Sequence, residues 1–128
     1  MIVRPLKNFI ETKGTNIPTK ALDEQKHYEV IIENKHLLGR KTYFLIDNMF
    51  TEFPTEWNSR LFEVIDQNRD EWTTSKNVAG FPGTISCKAE LLSLLKSDSR
   101  FFEHLVDGES DAVARFSSIF PNLNKKNS

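Results

Sequence analysis

Cysteine is almost absent from this chain. Cys87 stands alone, so no intrachain disulfide can form and no zinc site built on paired cysteines is available. Glycine is sparse, and the five glycines are isolated, which leaves no glycine-rich loop to cradle a phosphate. The three histidines, His27, His36 and His104, fall on separate elements without metal-ligand spacing. No serine sits in a Gly-x-Ser-x-Gly elbow. No apolar run approaches the length of a membrane span, and the N-terminus lacks the apolar core of a signal peptide. An excess of one charge is missing too: 17 Lys and Arg against 18 Asp and Glu give a net charge of −1. That balance exerts no overall pull on nucleic acid or on an anionic membrane. These absences predict a cytoplasmic protein with no cofactor, no metal site and no membrane partner.

Phenylalanine is plentiful, with ten residues in a chain of 128. Large rings bury much area each, so one core is attainable despite a hydrophobic content of 38%. The first half reads as short strands separated by polar breaks. Residues 1–6 form a first strand that Pro5 confines to an edge. A polar loop is expected over 12–23. Residues 28–32 and 41–46 form the next strands. In the latter, Tyr43 and Leu45 face one way and Thr42, Phe44 and Ile46 the other, as in a central strand. The stretch 33–40 reads as a turn, with Leu37 and Leu38 folded over the end of a barrel. Asp47 and Asn48 supply turn chemistry. A short return strand is expected over 50–53, one helical turn over 57–60 and a strand over 61–65.

The period then changes. Residues 66–82 read as a polar loop anchored by Trp72. From Cys87 onward the spacing is helical. Leu91, Leu94 and Leu95 share one stripe; Phe101, Phe102, Leu105 and Val106 share a second; Val113, Phe116, Ile119 and Phe120 share a third. Ser97, Asp98 or Ser99 is placed to cap the second helix, and Ser110 or Asp111 the third. Pro121 ends the last one, and 122–128 reads as a frayed tail.

Tyr28-Glu29-Val30, the run from Tyr43 to Asn48, Pro54 and Leu61-Phe62-Glu63-Val64 carry a family resemblance. In this order they resemble a group of small bacterial and phage domains with an SH3-like barrel. Met49 stands where that group has a glycine, and Lys26-His27 where it has Gly-Lys. The resemblance implies a barrel over 1–66 and no shared catalytic residue; it does not extend to residues 67–128. The expected fold is therefore α+β, a small SH3-like β-barrel or roll followed by two or three C-terminal helices. The expected organisation is a barrel over 1–66 and a helical subdomain over 67–128 packed on it, the two forming either separate units or one integrated domain.

Charge is uneven along the chain. Residues 41–75 hold three basic side chains, Lys41, Arg60 and Arg69, against seven acidic ones, a net of −4. Aromatic residues lie within that acidic stretch. Aromatic anchors ringed by carboxylates suit a protein partner. The expected contact surface is Asp47, Phe50, Glu52, Phe53, Glu56, Trp57, Asp70 and Glu71. The expected function is non-catalytic binding of a basic protein, in specific form an immunity or antitoxin-type inhibitor of a basic toxin. One rival reading is a small enzyme with Cys87 as nucleophile and His104 as base, the thiolate favoured by a helix start. Another is a nucleic-acid-binding barrel with Tyr28, Tyr43 and Phe44 as a platform, which the acidic stretch opposes.

Overall fold

Residues 28–35, which open on Tyr28 and the β-branched run Val30-Ile31-Ile32, form the central strand, paired with three others. The computed structural model describes residues 1–6, 21–50, 52–121 and 123. The expected loop over 12–23 and the tail over 122–128 lie largely outside these. The strands are β1 (Ile2–Pro5), β2 (Tyr28–Lys35), β3 (Lys41–Leu45), β4 (Thr55–Asn58), β5 (Phe62–Asp66), β6 (Trp72–Lys76) and β7 (Thr84–Lys88). A 3₁₀ turn (Ser59–Leu61) joins β4 to β5. Helices α1 (Ala89–Ser97), α2 (Phe101–Val106) and α3 (Ser110–Ile119) follow.

Among the described residues, the seven strands belong to one antiparallel sheet that does not close on itself. The order β4-β3-β2-β1-β5 runs through the first five. β3 lines one edge of β2. The other edge is shared: Tyr28 and Glu29 pair with β1, and Ile32 to Lys35 pair with β7, with β6 outside it. A five-strand array, β6-β7-β2-β3-β4, results.

A bulge lies in β2, where Val30 pairs with Leu45 and Ile32 with Phe44, leaving Ile31 unmatched. The extra residue lets Ile31 and Ile32 both enter one hydrophobic cluster, while Tyr28 and Val30 enter the other. The first cluster packs Phe44, Ile85 and Cys87 of the sheet against Leu91, Leu95, Phe101, Leu105 and Phe116 of the helices. The second holds Val3, Tyr28, Val30, Tyr43, Leu45, Leu61 and Phe62. Both faces of β3 are thus buried, as its alternation predicts. Phe44, Phe81 and Phe102 meet edge to face at centroid distances of 5.6, 5.6 and 5.8 Å. Each such contact adds about 1 kcal/mol beyond its area, and the two made by Phe102 tie α2 to β3 and to Phe81.

Several local expectations are corrected. β2 continues through Glu33 and Asn34 to Lys35. Glu33 is tolerated inside because its carboxylate accepts from both terminal guanidinium nitrogens of Arg69, at 2.7 and 3.2 Å. The return strand is 55–58 rather than 50–53, and the helical turn shifts to the 3₁₀ segment, opened by the Asn58 side chain accepting from Arg60 N. The loop expected over 66–82 contains β6, and Cys87 lies in a strand, not at a helix start. Leu37 and Leu38 fold over nothing: they are 88% and 99% exposed. The three helices stand where the leucine and phenylalanine stripes put them. Their entry differs in detail: Ser110 and Asp111 lie inside α3, and Asp98 accepts from Arg100 N just before α2.

Candidate partner-binding surface

The connection from β3 to β4 is built on a buried carboxylate. Asp47 is 2% exposed. Its Oδ1 accepts from the backbone N–H groups of Met49 and Phe50 at 2.7 and 2.8 Å, and its Oδ2 from Thr55 Oγ1 at 2.7 Å. Thr55 Oγ1 in turn accepts from Trp57 Nε1 at 2.8 Å. Asn48 N donates to Ala21 O at 2.8 Å, and the Tyr28 hydroxyl to Asn48 Oδ1 at 3.2 Å. Burial holds the Tyr28 phenol above its ordinary pKa, so it stays protonated and able to donate. One end of the loop is therefore held at both strands and against residues 21–28.

On this base stands an aromatic ledge. Phe53 is half-buried against the helix-side cluster, and Phe50 lies on it with ring centroids 5.5 Å apart and planes inclined by 31°. Phe50 is 49% exposed and Met49 beside it 52%. Glu52, also exposed, follows. Apolar side chains on a pre-formed loop lose little entropy on binding, which favours such a ledge as a contact site.

The other expected residues go elsewhere. Asp47 is structural and presents nothing to a partner. Glu56 leans toward the opposite end of the sheet, where its Oε2 accepts from Thr42 Oγ1 at 2.7 Å and stands 3.4 Å from His36 Nε2. Trp57 packs on the other face of β4 against the Tyr43 and Leu45 cluster. Asp70 and Glu71 occupy the turn into β6, with Glu71 at a φ of +68°. Three inter-strand steps, about 14 Å at ~4.8 Å each, separate β6 from β3. The acidic stretch of the sequence is therefore not one patch. Met49 was not among the expected residues; an apolar side chain directly after Asp-Asn turn chemistry was its signal.

Cys87 is fully buried, and burial alone pushes its thiol up to about 12. A thiol in that setting stays protonated near neutrality. His104 lies on α2 with Nδ1 3.2 Å from Glu109 Oε2. Iodoacetamide at pH 8 is expected to label native Cys87 at least tenfold more slowly than the urea-unfolded chain, read by intact mass. Stability should follow the same shift. The unfolded thiol titrates near 9 and the folded one near 12, so the contribution of the protonated form is intact below about pH 9 and is lost as pH rises toward 12.

Among the described residues no cluster of three or more His, Cys, Asp or Glu could hold a metal ion, and no helix is long and apolar enough to cross a membrane. Comparison of the chain with protein-family models, with curated proteins and with solved structures gives no match.

Proposed function

We propose that this is a non-catalytic binding protein that seats another protein on the ledge formed by Met49, Phe50 and Phe53. The observation that carries the reading is the pairing of exposure with rigidity: Phe50 and Met49 are half-exposed, yet their backbone N–H groups are held by a buried carboxylate. Exposed residues fixed in this way are what interface anchors require. Glu52 beside them suits a basic partner, and in its specific form the reading is an immunity or antitoxin-type protein that occludes a basic toxin. The order β4-β3-β2-β1-β5 and the 3₁₀ turn between β4 and β5 support an SH3-like reading of the first five strands, as an open roll and not a closed barrel.

The test is a pull-down from lysate of the source organism with the full chain as bait, repeated with Met49→Ser/Phe50→Ser and with Glu52→Lys. Glu52→Lys should keep the wild-type melting temperature, and Met49→Ser/Phe50→Ser, which gives up the Phe50–Phe53 contact, should lose about 1 kcal/mol and remain folded at the binding temperature. A stoichiometric basic protein captured by the wild type should bind the double variant at least tenfold more weakly, and Glu52→Lys should slow its association. Capture that is indifferent to all three substitutions removes the ledge as the site.

A further inference from the structure

The end of the sheet opposite the ledge has a different character. β2 and β3 join there through Leu37, Leu38 and Gly39, closed by hydrogen bonds from Gly39 N to His36 O at 2.9 Å and from His36 N to Arg40 O at 2.8 Å. Gly39, at a φ of +88°, ends the turn in the left-handed region. Leu37 and Leu38 occupy the corners, where turn chemistry ordinarily places Asn, Asp, Ser or Gly. They are 88% and 99% exposed, so neither serves the core.

Cations surround them. Lys35 pairs with Lys41 across β2 and β3, and with Thr84 of β7, which pairs with Lys76 of β6. The three lysines thus stand in one row across the sheet, within about 15 Å at ~4.8 Å per strand. Arg40 flanks the leucines, and Arg60 lies in the 3₁₀ turn that leaves β4 at this end. None of the five forms an ion pair among the described residues. Lys35 directly opposite Lys41 is a like-charge pair, which weakens a ladder. Of the carboxylates nearby, Glu33 is paired with Arg69, and Glu56, which accepts from Thr42 Oγ1, offsets one of the five cations. A net charge of −1 averages over this concentration of positive charge.

The geometry points to peripheral docking of this hairpin tip on an anionic lipid bilayer. Leu37 and Leu38 enter the acyl boundary, while Lys35, Lys41, Lys76, Arg40 and Arg60 meet the headgroup layer. A bilayer supplies both chemistries at the spacing the tip presents, an anionic surface with an apolar layer beneath it. Nucleic acid accounts for the cations and leaves the leucines without a role; among the described residues no exposed aromatic ring stands at this end for base stacking. Leu37 borders a groove shared with Lys35, Lys76 and Phe81, whereas Leu38, 99% exposed, lies outside it; a peptide seated in the groove would leave Leu38 uncovered, and a fluid bilayer takes both leucines.

Co-sedimentation of the full chain with vesicles tests this. One set is phosphatidylcholine alone; the other contains about one-third phosphatidylserine. The chain should sediment with the anionic set only, and release as salt rises from about 0.1 M to about 1 M. Leu37→Ser/Leu38→Ser should lower partitioning at least tenfold with an unchanged melting temperature. Lys35→Ser/Lys41→Ser should lower it about tenfold or more while slightly raising the melting temperature, because the like-charge pair is gone. Failure to sediment with either set overturns the proposal, as does equal sedimentation with both. Adsorption to anionic vesicles that ignores the leucine substitutions overturns it as well, and so does salt-sensitive retention on duplex DNA without vesicle binding. The ledge is intact in both variants, so loss of vesicle binding is separable from loss of a protein partner.

Discussion

Asp47→Ala is expected to lower stability by about 3–4 kcal/mol, a fall in melting temperature of roughly 10–15 °C for a chain of this size. Alanine removes the acceptor for two backbone N–H groups and one hydroxyl in a place that water hardly reaches. Each donor then loses a charge-assisted bond and keeps its desolvation cost. Thr55 can turn its hydroxyl toward Leu45 O, but that contact is long at 3.4 Å. Asp47→Asn separates shape from charge. Its carbonyl oxygen can still accept from Met49 and Phe50, and its amide can donate to Thr55 Oγ1. A loss of about 1 kcal/mol is expected for Asn, measured by urea unfolding with an unchanged slope. Equal losses for Ala and Asn would mean that the charge, not the filled turn, holds the loop.

The same pair of variants connects the fold to the proposed site. Met49 and Phe50 are placed by the bonds that Asp47 accepts, so Asp47→Ala should weaken partner binding even below its melting temperature, with Asp47→Asn binding nearly as the wild type does. A residue that gives nothing to the contact surface would thus control binding through the conformation of two neighbours.

Legibility in the sequence followed how local each cause was. The stripes of Leu91 with Leu95 and of Phe101 with Leu105 announce helices because each stripe meets the core at helical spacing. The alternation of Tyr43 and Leu45 with Phe44 and Ile46 announced a strand covered on both faces. β6 was hidden because Trp72-Thr-Thr-Ser-Lys is an exposed edge strand, whose formation depends on pairing with β7. The polar end of β2 was hidden for a related reason. Glu33 is buried by an ion pair to Arg69, which lies 36 positions further on, and no local pattern reports such a partner. Acidic residues adjacent in sequence suggest one surface. The array carries Glu56 toward the hairpin tip and Glu71 to the far edge, so only Phe50, Glu52 and Phe53 of that set remain together. Asp47-Asn48 announces a turn; that the same bonds withdraw Asp47 from the surface depends on burial.

Gly83→Ala is expected to cost about as much as Asp47→Ala, for a steric reason. Gly83 precedes β7 at a φ of +96°, and a Cβ there would stand 2.3 Å from Lys35 O and 3.0 Å from His36 Cα. Both are backbone atoms, so no rotamer change relieves the overlap. Either β7 moves away from the end of β2 or the hairpin tip moves. Left-handed backbone alone costs alanine about 1–2 kcal/mol, and the forced displacement adds about 2 kcal/mol, for a total of about 3–4 kcal/mol. Gly80→Ala isolates the first contribution, since Gly80 has a φ of +86° with no atom within 4 Å of the added carbon. A gap of about 2 kcal/mol between the two variants in chemical denaturation therefore measures the close approach of the 83–84 backbone to Lys35. Equal losses would show that the contact yields at no cost. The approach also aligns Lys35 with Thr84 and, through it, with Lys76. Gly83→Ala should therefore disturb the cationic row while leaving the Asp47 loop, at the other end of the sheet, in place. Hydrogen exchange should accordingly quicken first at His36 and Gly39 and last at Met49 and Phe50.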